Sequence, residues 1–135
     1  MNPYSNPKKN PYNIDLSLLI EAHPDYPTSK IAVLFTDVVG STDYFKTHGD
    51  QDGRAMLKTH HDMASTAVNE FGGRLIKVLG DSIMAYFGNV NEALKSAIKM
   101  QQKFIQYNSG KDAKDQMPVR IGIHYGKVIV EEKDI

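Results

Sequence analysis

Ile31-Ala32-Val33-Leu34-Phe35-Thr36-Asp37-Val38-Val39-Gly40-Ser41-Thr42 is the stretch whose reading decides the fold. Its apolar, β-branched start reads as a buried strand over 31–37 that closes on Asp37 and enters a turn at Gly40. A short helical piece follows over about 41–47 and ends near Gly49. A longer helix then starts after Asp50. Its Met56, Leu57, His60, Met63, Ala64, Ala67, Val68 and Phe71 recur at steps of three and four, forming one face. Gly72-Gly73 stops it, because glycine takes the left-handed position at a helix end without a Cβ clash.

Two strands come next, Arg74 to Val78 and Ile83 to Phe87, joined through Leu79-Gly80-Asp81-Ser82. Asn89 and Glu92 carry the spacing of a helix start, and Ala93, Leu94, Ala97, Ile98, Gln101, Phe104 and Ile105 supply an apolar face. That helix ends in Asn108-Ser109-Gly110. Val119 to His124 reads as a further strand, Gly126 as a turn, and Val128-Ile129-Val130 as the start of another strand. The order β-α-β-β-α-β predicts an α+β, ferredoxin-like sheet with its helices on one face. In that topology the first and third strands are antiparallel neighbours. Asp37 ends the first and Asp81 opens the third, so the two carboxylates are expected to converge.

Composition bounds the rest. At 135 residues the chain has room for one domain with a sizeable core. Sixteen basic and sixteen acidic residues cancel, so no overall field draws it to nucleic acid or an anionic membrane. Without cysteine there is no disulfide and no thiolate-held zinc. Residues 1–30 hold five of the six prolines and read as a polar lead-in, in which Ile14 to Ile20 could form a helical turn or two. No stretch looks like a signal peptide or a membrane span, and a soluble cytoplasmic domain is the default expectation.

Converging carboxylates make a hard-oxygen site suited to Mg²⁺ or Mn²⁺ and to phosphate chemistry; either aspartate alone would read as a turn residue. Val39-Gly40-Ser41-Thr42 adds a close backbone turn and N–H groups at a helix start, a seat for phosphate, with Ser41 or Thr42 able to cap the helix. Lys77 lies between Ile76 and Val78 and so points to the other face of its strand, with Asp134 as a possible acceptor partner. His60 and His61 lack the spacing of a zinc pair, and His124 reads as structural.

Phe35-Thr36-Asp37-Val38-Val39-Gly40-Ser41-Thr42, His48-Gly49-Asp50, Gly72-Gly73, Lys77-Val78-Leu79-Gly80-Asp81 and Arg120-Ile121-Gly122-Ile123-His124-Tyr125-Gly126 together resemble the class III nucleotide cyclase catalytic domain. The resemblance runs in order from about residue 31 to the C-terminus, which makes 31–135 a partial catalytic domain. It implies a head-to-tail homodimer with sites at the interface, and two divalent ions, Mg²⁺ or Mn²⁺, held by Asp37, the adjoining Val38 and Asp81. Asp37 and Asp81 are then the catalytic pair, Val39, Gly40, Ser41 and Thr42 the phosphate seat, and Lys77 with Asp134 the adenine readers. The implied reaction converts ATP to cyclic AMP and pyrophosphate. The family's next asparagine and its transition-state arginine fall beyond Asp134, so the 135-residue chain is expected to be incomplete and inactive by itself. A non-catalytic nucleotide- or metal-binding module, or a guanylate cyclase, remains an alternative at this point. A diguanylate cyclase lacks support, since its Gly-Gly-acidic signature is not at the hairpin.

Overall fold

The computed structural model describes residues 28–129. Strand β1 (Thr28–Val38) leads to helix α1 (Ser41–Glu70), then strands β2 (Arg74–Leu79) and β3 (Ser82–Phe87). Helix α2 (Val90–Asn108), a single 3-10 turn at Ala113–Asp115 and strand β4 (Val119–Ile129) complete it. The four strands form one sheet in the order β2-β3-β1-β4, and every neighbouring pair is antiparallel. This is the expected split βαβ arrangement, with β1 and β3 adjacent at its centre. The helical turn or two expected in Ile14 to Ile20 lies outside the described residues.

Residues directly opposite in a ladder share a face. Ala32, Leu34, Thr36 and Val38 of β1 therefore face the same way as Ile83, Ala85 and Phe87 of β3 and Val119, Ile121 and Ile123 of β4. That face receives the helices: Met56, Ala64, Ala67 and Val68 from α1, and Ala93, Ala97, Met100 and Phe104 from α2, join it in the core. Burying a Leu34, Phe87 or Phe104 side chain contributes about 1.5–3 kcal/mol each, which is why the three-four periodicity of both helices is decisive. The opposite face carries Val33, Phe35 and Asp37 beside Ser82, Met84 and Tyr86, and Arg120, Gly122 and His124.

Gly49 breaks α1 into the two expected pieces. It takes φ 85° and ψ 173°, a conformation essentially reserved for glycine. Asn89 caps α2 as expected, its side chain accepting from the Glu92 N–H at 2.9 Å.

Three expectations need correction, and β2 carries an irregularity that no expectation covered. The chain does not turn at Gly126; β4 runs on as a single strand with Gly126 opposite Ile31 and Lys127 opposite Lys30. β1 is longer than the 31–37 core, so it offers ladder partners along all of β4, and a lone glycine only weakens a strand. Neither Ser41 nor Thr42 caps α1, because Gly40 occupies the cap position in a left-handed conformation and no side chain caps there. In β2 a register shift between Leu75 and Lys77 leaves Ile76 without a paired position. His124 is exposed on the face away from the helices rather than built into the core.

Candidate active site

One end of the sheet gathers the end of β1, the β2–β3 turn, the beginning of β4 and the first turn of α1. Asp37 stands opposite Ser82 on β3 and opposite Arg120 on β4. The Val38 N–H donates to the backbone oxygen of Asp81 at 3.2 Å, which ties the two aspartate-bearing segments directly together. Asp81 follows Gly80, whose φ of 59° makes the tight turn a residue with a Cβ would resist.

Each carboxylate already accepts a hydrogen bond. Arg120 donates from a guanidinium nitrogen to Asp37 Oδ2 at 2.5 Å. The Ser41 hydroxyl donates to Asp81 Oδ2 at 2.6 Å, and the Ser82 hydroxyl reaches Oδ1 at 3.4 Å. Ser41 thus serves the aspartate instead of the helix cap. Asp37 and Arg120 retain 37% and 74% of their side-chain exposure, so their ion pair contributes no more than about 1 kcal/mol and both remain open to a ligand.

Among the described residues no group of three or more His, Asp or Glu side chains is placed to enclose a metal ion. A cation here would therefore take two carboxylates and complete its shell with backbone carbonyl, substrate or water oxygens, as Mg²⁺ does at phosphate sites. The oxygen-only, half-exposed donor set fits such an ion. Val38 is itself buried, and only its backbone can face the site.

In the phosphate-seat segment, Gly40 is left-handed with φ 74°, and Thr42 is exposed. The Val39 N–H is already bonded to the Pro118 carbonyl at 2.8 Å, so it holds the loop to the approach of β4. The first N–H groups of α1, following Gly40, have no partner within the helix. Lys77 is opposite Met84 and hence on the same sheet face as Asp37, two strands away, roughly 10 Å by strand spacing. It is not in the aspartate cluster. Asp134 lies outside the described residues.

Sequence reasoning missed Arg120. It sits second, after Val119, in an expected strand like any surface residue, and only the ladder register sets it against Asp37. Behind the carboxylates, His60 is fully buried and its Nε2 is 2.9 Å from Thr36 Oγ1. Burial, then the neighbouring His61, lowers its pKa to about 4, while Asp81 and Asp37 pull the other way. The imidazole is neutral at pH 7.

A family model described as the adenylate and guanylate cyclase catalytic domain matches residues 24–133, and the chain belongs to that family, the class III nucleotide cyclases. It is 33% identical over 111 residues to an adenylate cyclase of Anabaena cylindrica, covering 76% of this chain and 22% of that protein. Among solved structures it resembles an adenylate/guanylate cyclase/hydrolase from Silicibacter pomeroyi, with 27% identity and a TM-score of 0.68, over 79% of this chain and 62% of that one. An adenylyl cyclase from P. aeruginosa shares the fold at 19% identity and a TM-score of 0.65, over 81% and 69% of the two chains. The chain thus spans about a fifth of the Anabaena protein and under two thirds of the Silicibacter chain. The family uses divalent metal ions. No described helix is long and apolar enough to cross a membrane.

Proposed function

We propose that this chain supplies the metal-binding half of an adenylate cyclase site, acting on ATP to give 3′,5′-cyclic AMP and pyrophosphate. The observation that carries the reading is the meeting of Asp37 and Asp81 at one end of the sheet, beside Arg120 and the first turn of α1. Asp37 and Asp81 would hold the divalent ions, with the Val38 carbonyl beside them. Bound there, such ions supply Lewis-acid charge to the triphosphate and make the ribose 3′-hydroxyl easier to deprotonate.

The chain's own groups supply part of what else the reaction needs. Gly40, Ser41 and Thr42 present N–H groups at the N-terminus of α1, where phosphate charge is favoured. Arg120 lies within reach of the same region and can shift from Asp37 to a phosphate oxygen, an equally charge-assisted partner, once a cation occupies the carboxylate. The ribose 3′-oxygen then attacks the α-phosphorus. The bond from that phosphorus to the bridging oxygen of the β-phosphate breaks, the 3′-hydroxyl proton passes to solvent, and pyrophosphate leaves.

Lys77 would read the base for the site of a second copy, since it lies on the aspartates' sheet face but two strands away from Asp37. Phe35 and Leu79, 41% and 48% exposed and on that same face, offer apolar contact for a head-to-tail partner. Lysine donates to adenine N1, and a carboxylate such as Asp134 accepts from N6; guanine inverts that pattern and leaves both groups mispaired.

The test is product analysis with the full-length protein, ATP or GTP, and Mn²⁺. Lys77→Glu should lower cyclic AMP formation about 10- to 100-fold, the cost of a lost charged hydrogen bond, and lower GTP turnover far less. Preference for ATP that survives the change would remove Lys77 from base recognition, and a wild type that prefers GTP would make the protein a guanylate cyclase.

A further inference from the structure

His60 and His61 are neighbours on α1, and neighbouring helix residues point about 100° apart. One ring enters the core; the other reaches over the end of the sheet. His60 Nε2 is hydrogen-bonded to Thr36 Oγ1 at 2.9 Å, and Thr36 is the residue before Asp37. His61 Nε2 donates to the Gly80 carbonyl at 3.0 Å, and Gly80 is the residue before Asp81. We infer that this histidine pair is a positioning unit, which fixes the separation of the two metal-binding aspartates by tying the residue before each to a single helix. The inference rests on the metal reading of Asp37 and Asp81 proposed above.

Two further features support it. Thr36 Oγ1 also accepts from the Ile83 N–H at 3.2 Å, so the contact at His60 joins α1, β1 and β3 at one point directly behind the carboxylates. The cost of His60 also asks for a reason. The ring is fully buried, stacks on Phe104 with centroids 5.7 Å apart, and leaves Nδ1 without a hydrogen-bond partner. An aliphatic side chain would fill that place without an orphaned polar atom. What it could not do is bond Thr36. His61 has a corresponding task at a turn that Gly80, at φ 59°, otherwise leaves conformationally free. Neither imidazole bonds to a carboxylate, so both act through the backbone that carries Asp37 and Asp81.

Mn²⁺ itself, titrated into the full chain and followed by its electron paramagnetic resonance signal, tests this without any turnover. Groups bonded directly to metal ligands typically change metal affinity 10–100-fold; these histidines act one residue further away, so each should be worth about 3- to 10-fold. His61→Ala should weaken Mn²⁺ binding by that factor with little change in thermal midpoint. His61→Gln, whose Nε2 can still donate to Gly80, should restore it. His60→Leu removes the orphaned Nδ1 but also the bond to Thr36, so stability at neutral pH should change little, and yet Mn²⁺ binding should weaken. Asp81→Asn serves as the reference that loses the site. If Asp81→Asn weakens Mn²⁺ while both histidine variants bind as wild type, the positioning inference is overturned and the aspartate reading stands. A His61→Gln variant no better than His61→Ala overturns it too. Should Asp81→Asn bind Mn²⁺ like wild type, the metal reading falls and the inference falls with it.

Discussion

His60 makes the stability of this domain depend on mild acid, with a size that the structure sets. Its pKa is lowered from 6.5 to about 4, first by burial and then by His61. An imidazole in the unfolded chain keeps the ordinary value, so between pH 6.5 and 4 the unfolded state binds more protons than the folded one. Stability is therefore fully present above pH 6.5 and is lost as pH falls toward the folded pKa. From pH 7.5 to pH 5 the loss from this one group is about 2 kcal/mol, a large fraction of what a domain of this size usually has. With a urea slope of about 1–2 kcal/mol per molar, the unfolding midpoint should drop by roughly 1–2 M over that interval. Carboxylates also titrate at the acid end, so the decisive quantity is the difference between wild type and His60→Leu. The variant should be flatter by about 2 kcal/mol across pH 7.5 to 5. Parallel curves would mean that His60 is not the buried, neutral group described here.

Gly73 abuts the ring of fully buried Phe87, and a methyl group there would overlap it. Gly73→Ala should thus cost about 1–3 kcal/mol in urea unfolding although the position borders a helix stop, and a neutral result would refute the close approach. Arg120 competes with any cation for Asp37 Oδ2 yet would add charge to a bound triphosphate. Arg120→Ala should tighten Mn²⁺ without nucleotide by up to about 5-fold, the value of an exposed ion pair, and weaken the binding of an ATP analogue. Equal effects on both ligands would remove the competition.

The apolar run of β1, the three-four spacing of α1 and α2 and the resulting element order were enough to place β1 against β3, and with that to bring Asp37 beside Asp81. These are local patterns whose consequences follow from a single topology. Arg120 was not legible, because its meaning depends on which residue of β4 lies opposite Asp37, and register is a property of two strands. The continuous β4 was missed for a related reason: Gly126 resembles a turn residue until β1 is known to extend to Thr28 and pair with it. Ser41 read as a helix cap because its neighbours in sequence are a turn and a helix, whereas its hydroxyl partner, Asp81, is forty residues away. His60 stood out only as one more member of an apolar face. Its bond to Thr36 crosses between elements, and no spacing along the chain announces it.

The central claim is that Asp37 and Asp81 form one metal and nucleotide site. Calorimetry with an unreactive ATP analogue and Mn²⁺ tests it most directly, comparing wild type with Asp37→Ala and Asp81→Ala. Losing a group that merely supports a metal ligand costs 10–100-fold, so losing either carboxylate should reduce affinity by at least about 100-fold, with the double variant little worse than each single one. Wild-type affinity in either variant would contradict the claim.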